Sequence, residues 1–228
     1  LEVSRRLLEA DKADPTQKKA RSGAPLWAAV ALAAAVIGGG LWLYEDLGAP
    51  GYEDLPLARR IALAEDARAT RPSQAEIEQQ RPPSPPLQTA DERLLTLVSQ
   101  LRSALETRPD DLQGHLLLAR NEAVIGNYRR AYEAQKEVLR IKGPAASADD
   151  YADLADMMIL AAGGFVSPEA EDALAKALAR DPQNGTALYY SGLMFAQTGR
   201  PDMTFKLWQP LLSSSQPDDP WILPIRAQ

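Results

Sequence analysis

No cysteine occurs among the 228 residues, which excludes disulfides, thiol catalysis, thiolate metal sites and covalent haem attachment through the chain's own thiols. A single histidine, His115, argues against a histidine-based metal centre. No phosphate-cradling glycine loop, nucleophile elbow or metal-ligand spacing is present. No segment alternates apolar and polar residues as a strand would. The neighbouring carboxylates Asp149 and Asp150, and Glu169 and Glu171, fall at helix starts, where they favour the helix dipole and need no catalytic role. An enzyme reading therefore lacks residue-level support, and no cofactor is called for. The net charge is −6, and an acidic domain offers little against phosphate repulsion, so nucleic acid is not an expected partner.

Charge is also missing locally, from Ala24 to Tyr44, and this gap organises the chain. Leu26 to Tyr44 (LWAAVALAAAVIGGGLWLY) holds no charge, amide or proline. As a helix its nineteen residues span about 29 Å, close to the hydrocarbon thickness of a bilayer. Trp27 stands at one end and Trp42 with Tyr44 at the other, where amphipathic rings favour the headgroup layer. A cleaved signal peptide would have a shorter apolar run and a small-residue cleavage site, whereas this run closes on Leu-Trp-Leu-Tyr-Glu-Asp. A buried core helix would carry polar residues on one side. The segment is read as a transmembrane helix over 24–45. Gly38, Gly39 and Gly40 form a small-residue face suited to close approach of another membrane helix.

Residues 1–23 carry six Lys/Arg against four acids, while the 184 residues after Tyr44 carry a balance of −8. Basic residues beside a membrane helix mark the cytoplasmic side. The long C-terminal part is expected outside the cytoplasm, in the periplasm of a Gram-negative cell. Residues 1–23 form a cytoplasmic amphipathic segment, with 4–13 suited to a helix stopped at Asp14-Pro15. The chain opens without methionine inside an amphipathic pattern, the look of a processed or incomplete N-terminus. Residues 46–88 are expected to hold a short helix, Leu57 to Ala69, followed by a Pro-rich linker. Over 71–88 the prolines Pro72, Pro82, Pro83, Pro85 and Pro86 predict extended polyproline structure. That stretch reads equally as a spacer holding the soluble domain off the membrane and as a functionless tether.

From Thr89 to Gln228 the pattern is helical. Thr89-Ala90-Asp91-Glu92 is a candidate capping box, and Leu94, Leu97, Val98, Leu101 and Leu105 follow at helical spacing. Breaks at Pro109, Gly143, Pro182 and Pro217 are 34, 39 and 35 residues apart. With Gly126 in a turn, Leu118, Tyr128 and Ala131 fall into the pattern of the 34-residue tetratricopeptide repeat, and His115 takes its usual tryptophan place. A second copy counts from Gly185 through Leu188, Gly192, Phe195 and Gly199, with Pro201 and Thr204 departing from the aromatic and alanine places. Residues 147–182 form a middle unit, whose Ser167-Pro168-Glu169 starts a helix. The predicted fold class is all-α, one transmembrane helix plus a tetratricopeptide-repeat α-solenoid.

Stacked hairpins leave a concave groove lined by their first helices, and such grooves bind peptides. Projected onto this chain, the groove positions are Gln113, Leu116, Arg120, Asp156, Ile159, Tyr189, Leu193 and Gln197, with Asp149 beside them. Their mixed, partly apolar character favours an amphipathic helical ligand over a peptide carboxylate. For each, ordinary hairpin packing is an equally good account. His115 could serve as a haem ligand or pH switch, but its place in the repeat favours packing.

The order of features carries a wider resemblance: Glu2-Val3-Ser4-Arg5-Arg6-Leu7-Leu8 before a Trp-flanked anchor, then Arg71-Pro72-Ser73-Gln74-Ala75, LRSALETRPDDLQGHLLLAR, and PWILPIRAQ at the end. Together they resemble the CcmI (CycH) family of c-type cytochrome biogenesis proteins of α-proteobacteria. The resemblance implies a membrane-anchored periplasmic chaperone that binds apocytochrome c, notably its C-terminal helix, and delivers it to the haem-ligation membrane proteins CcmF and CcmH. It also implies a further membrane helix before Leu1 and more chain after Gln228. A generic repeat scaffold docking another periplasmic membrane complex is the competing reading.

Overall fold

A computed structural model of the chain describes residues 26–47, 55–80 and 92–227. The expectations for residues 1–23, for Pro82 to Pro86 and for a cap at Thr89 lie outside the described residues. The chain divides into two units, Leu1–Asp54 and Leu55–Gln228.

In the first unit, α1 (Leu26–Leu47) is a helix of 22 residues, long and apolar enough to cross a membrane. It runs one turn past the aromatic end to take in Glu45, Asp46 and Leu47. A Cβ added at Gly38, Gly39 or Gly40 would meet nothing within 4 Å, so the glycine face is open.

The second unit is wholly helical among the described residues. It begins with α2 (Leu57–Ala69) and α3 (Gln74–Gln80). Next come α4 (Glu92–Thr107), α5 (Leu112–Val124) and α6 (Tyr128–Lys142). A 3-10 turn, Gly143–Ala145, leads to α7 (Ala148–Ala161) and α8 (Pro168–Arg180). The chain closes with α9 (Gly185–Gln197), α10 (Pro201–Ser214) and the short α11 (Ile222–Arg226). The pairs α5/α6, α7/α8 and α9/α10 are three stacked hairpins, with α4 packed on α5.

Local sequence explains where these helices start and stop. Asp111, Ser167 and Asn184 accept the backbone N–H three residues on (Gly114, Ala170 and Ala187), satisfying donors that a helix start leaves free. Ser147 and Asp150 form a full capping box. Each first helix ends two residues before a glycine with positive φ: Gly126 at 80°, Gly163 at 64° and Gly199 at 80°. Only glycine enters that region without a Cβ clash, so these three turns set the register of the hairpins.

The core is small-residue packing. Ala152, Ala155, Ala173, Ala177 and Ala187 interleave with Tyr132, Met158, Ile159 and Leu174. In the third hairpin Trp208 crosses Gly192, with its indole N–H donating to the Tyr189 carbonyl at 2.9 Å. The two repeat departures have local reasons. Pro201 takes the first helical position, where a missing N–H costs nothing. Thr204 is buried and donates its hydroxyl to the Gly192 carbonyl at 3.0 Å, a bond that alanine would not make.

The stretch 71–80 departs from the polyproline expectation. Pro72 precedes α3 rather than preventing it, and Ser73 with Glu76 closes the helix start: Glu76 accepts the Ser73 backbone N–H at 2.7 Å. α3 belongs to the repeat unit and packs on α8. Seven residues, 48–54, separate α1 from the start of that unit in sequence.

Candidate functional site

The face expected to bind peptide is built by α5, α7 and α9, and the turn glycines define equivalent positions on them. Ten residues before each glycine stand Leu116, Asp153 and Tyr189; six before stand Arg120, Met157 and Leu193; three before stand Ala123, Leu160 and Ala196. One helical register therefore brings Leu116, Arg120, Tyr189 and Leu193 onto a common face, with Gln113 and Gln197 near its ends. Gln113, Arg120 and Gln197 are exposed, while Leu116, Tyr189 and Leu193 are half-buried.

The middle helix contributes different residues from those the sequence suggested. Ile159 is completely buried in the core and has no surface to offer a ligand. Asp156 is turned to its neighbour, accepting the hydroxyl proton of Tyr190. Asp149 likewise accepts the Asn184 amide at 2.8 Å. Their places on the face fall to Asp153, Met157 and Leu160. The 37-residue step from Gly126 to Gly163, longer than a standard repeat, moved the register. Counting back from Gly163, the glycine of the left-handed turn, is the signal that finds them.

Packing within the stack also claims parts of the other residues. The Tyr189 ring stacks on Trp208 with centroids 5.9 Å apart. Gln197 accepts the Val166 N–H at 3.0 Å and donates to the Gly164 carbonyl at 2.7 Å, tying the second turn to the third hairpin. What remains open is a row of apolar patches (Leu116, Met157, Leu160 at 38% exposure, Leu193) edged by Arg120 and Asp153. Partial desolvation, then repulsion from Asp156, Asp149 and Asp150, pushes the carboxyl of Asp153, an exposed residue overall, up to about 6. Burial raises Asp156 as well, against the opposing pull of the Tyr190 hydroxyl.

His115 is a packing residue. It is buried, and one ring nitrogen lies 3.0 Å from the Pro109 carbonyl, which accepts its proton in the corresponding tautomer. Sequence reasoning missed an ion pair that reaches into the first hairpin from α4. Glu122, with no exposed surface, receives Arg102 of α4 through two bonds of 2.5 and 2.8 Å. An apolar cavity of about 690 Å³ lies elsewhere, among Pro201, Phe205, Trp208, Leu212 and Ile225 beside the third hairpin's second helix. Among the described residues no group of His, Asp and Glu could hold a metal ion.

Known proteins resemble this chain in sequence. The family described as cytochrome c-type biogenesis protein H TPR domain matches residues 69–222. Cytochrome c-type biogenesis protein CycH of Bradyrhizobium diazoefficiens is 30% identical over 226 residues, covering 97% of this chain and 54% of the relative. CycH of Rhizobium meliloti is 29% identical, covering 97% and 51%. The chain thus spans about half the length of the curated relatives it matches. Among solved structures, a MamA RS-1 double mutant aligns with 85% of this chain and 96% of its own at 14% identity and a TM-score of 0.46. With the family match extending over most of the repeat unit, this chain belongs to the cytochrome c-type biogenesis protein H (CycH) tetratricopeptide-repeat family.

Proposed function

We propose that the protein is a membrane-anchored chaperone of cytochrome c maturation. In this reading α1 is the anchor and the repeats work on the periplasmic side. The basic balance before α1 and the acidic balance after it support that orientation. The open face of α5, α7 and α9 takes the C-terminal helix of apocytochrome c. The observation that carries this is the apolar row Leu116, Met157, Leu160 and Leu193, in register on the first helices of three successive hairpins and only partly covered. An amphipathic helix would bury its apolar stripe there, and Arg120 and Asp153 would orient its polar edges. The protein's own part is non-covalent, since it has no thiol. Haem attachment then falls to the ligation partners to which the apoprotein is delivered, CcmF and CcmH.

The test is binding of a labelled C-terminal helix peptide of apocytochrome c to the full chain in detergent. Affinity should fall at least tenfold in Leu116→Asp and in Met157→Asp, equivalent to about 1.4 kcal/mol. No binding by the unaltered chain, together with normal cytochrome c levels in a strain lacking the gene, would overturn the proposal.

A further inference from the structure

Stacked hairpins touch only their neighbours, so the angle between the first and third is held by two thin interfaces in series. Residues 64–78 break that rule. They run along the edge formed by the hairpin turns and touch all three units. Ala64, buried, has its Cβ 3.9 Å from the place of a Cβ on Gly199 in the third turn, and the Arg68 guanidinium lies 5.5 Å from the Phe195 ring centre. On the second hairpin Arg71 donates to the Val166 carbonyl at 2.9 Å and pairs, with Arg68, to Glu171. Gln74, buried, donates to the Met158 carbonyl and accepts the Ser167 hydroxyl, each at 2.8 Å, while its backbone N–H reaches Glu169 at 2.9 Å. On the first hairpin Glu78 accepts the Tyr132 hydroxyl at 3.0 Å and lies 3.4 Å from Arg129.

We propose that residues 64–78 are a strap that sets the angle between the three hairpins, and with it the opening of the face made by α5, α7 and α9. The inference stands apart from the identity of any ligand. The attachments are specific and polar, bonded to backbone carbonyls and to side chains at the starts of α6 and α8, so they lock position rather than merely cover surface. The strap has almost no core of its own: Ala64 is the buried residue of α2 and Gln74 that of α3. Its docking is therefore a local equilibrium that can open without unfolding the hairpins. Because α2 is the first element of the unit in sequence, opening the strap changes the hairpin angle from the unit's N-terminal end.

The absence of native cysteine allows a direct test in the full chain. Spin labels at Arg130→Cys on α6 and Lys206→Cys on α10 report the distance between the first and third hairpins. In the Gln74→Ala/Glu78→Ala background the distance distribution should widen at least twofold while helical circular dichroism stays at its unaltered value. An unchanged distribution, in protein whose residues 74–80 have lost amide-exchange protection, overturns the strap. Persisting protection of 74–80 overturns it too, because docking would then not rest on these side chains. Should the double variant fail to fold, Glu78→Gln loosens the first hairpin's attachment alone. Labels at Arg130→Cys and Ala179→Cys should then separate into a wider distribution, and an unaltered one counts against the proposal.

Discussion

Trp208 lies so close across Gly192 that a Cβ on the glycine would fall 2.1 Å from the indole nitrogen. The third hairpin closes at this crossing, and the tryptophan is held by its bond to the Tyr189 carbonyl at 2.9 Å. Gly192→Ala must either push the indole out or bend α9. We expect a loss of about 2–3 kcal/mol, typical of overpacking, and a fall of roughly 4–12 °C in melting temperature for a chain of this size. Gly185→Ala provides the contrast. Its Cβ would meet the outer edge of the Trp221 ring at 2.3 Å, the far end of a half-buried side chain just before the five-residue α11. Its cost should stay under about 1 kcal/mol. Denaturant unfolding of both variants measures the difference, and equal losses would contradict the account.

Arg102 is the partner of Glu122, whose side chain is fully buried in the first hairpin. Arg102→Ala should destabilise by about 3 kcal/mol, the low end of the range for orphaning a buried charge, because Arg102 itself reaches solvent. Arg102→Met with Glu122→Leu should recover most of the loss, since apolar packing of similar volume needs no partner. Failure of the double variant to recover would assign the pair a role beyond charge balance.

Asp153 and Asp150, three residues apart, should respond oppositely to pH. The Asp153 carboxyl is raised to about 6 in the folded protein from an ordinary value near 3.8. Its charge therefore weakens the fold above about pH 6, and that penalty is relieved as pH falls from 6 towards 4. Asp153→Asn should stabilise the protein at pH 7 by about 1 kcal/mol, solvent screening removing the rest, and flatten the pH 4–6 window. Asp150 is desolvated, yet Lys142 and Ser147 hold its carboxyl below the usual range. Its contribution is present above its unfolded value of 3.8 and is lost as pH falls through the lower folded value. Asp150→Asn should cost stability at pH 7 and narrow the 4–6 window only slightly, by removing one of the minor repulsions on Asp153. Thermal unfolding across pH 2.5–8 decides both.

On the shared face, Leu116→Asp and Ile159→Asp separate binding from folding. The first should spare the fold and weaken capture of an amphipathic helical peptide. The second places a charge at a completely buried site and should cost more than about 4 kcal/mol, lowering yield and helicity together. A well-folded Ile159→Asp protein with lost peptide binding would return Ile159 to the face.

Much of the architecture follows from the order of residues alone. The uncharged run around Gly38–Gly40 is a helix whose length and composition alone make it able to span a bilayer. The hairpin boundaries are equally local: Asp111, Ser147, Ser167 and Asn184 cap helices within three residues of themselves, and the turn glycines need no partner to take a positive φ. Tertiary structure decided what local pattern does not encode. Asp153 rather than Asp156 faces outward because the step from Gly126 to Gly163 is longer than a standard repeat, and only the neighbouring Tyr190 and the packed core show which side of α7 is covered. Gln74 became the centre of a docked strap, in a stretch that its prolines mark as extended, because Met158 and Ser167 lie more than eighty positions away in sequence and are brought to it by the stacked hairpins. Bonds of that span depend on the angle between hairpins, which no window of the sequence contains.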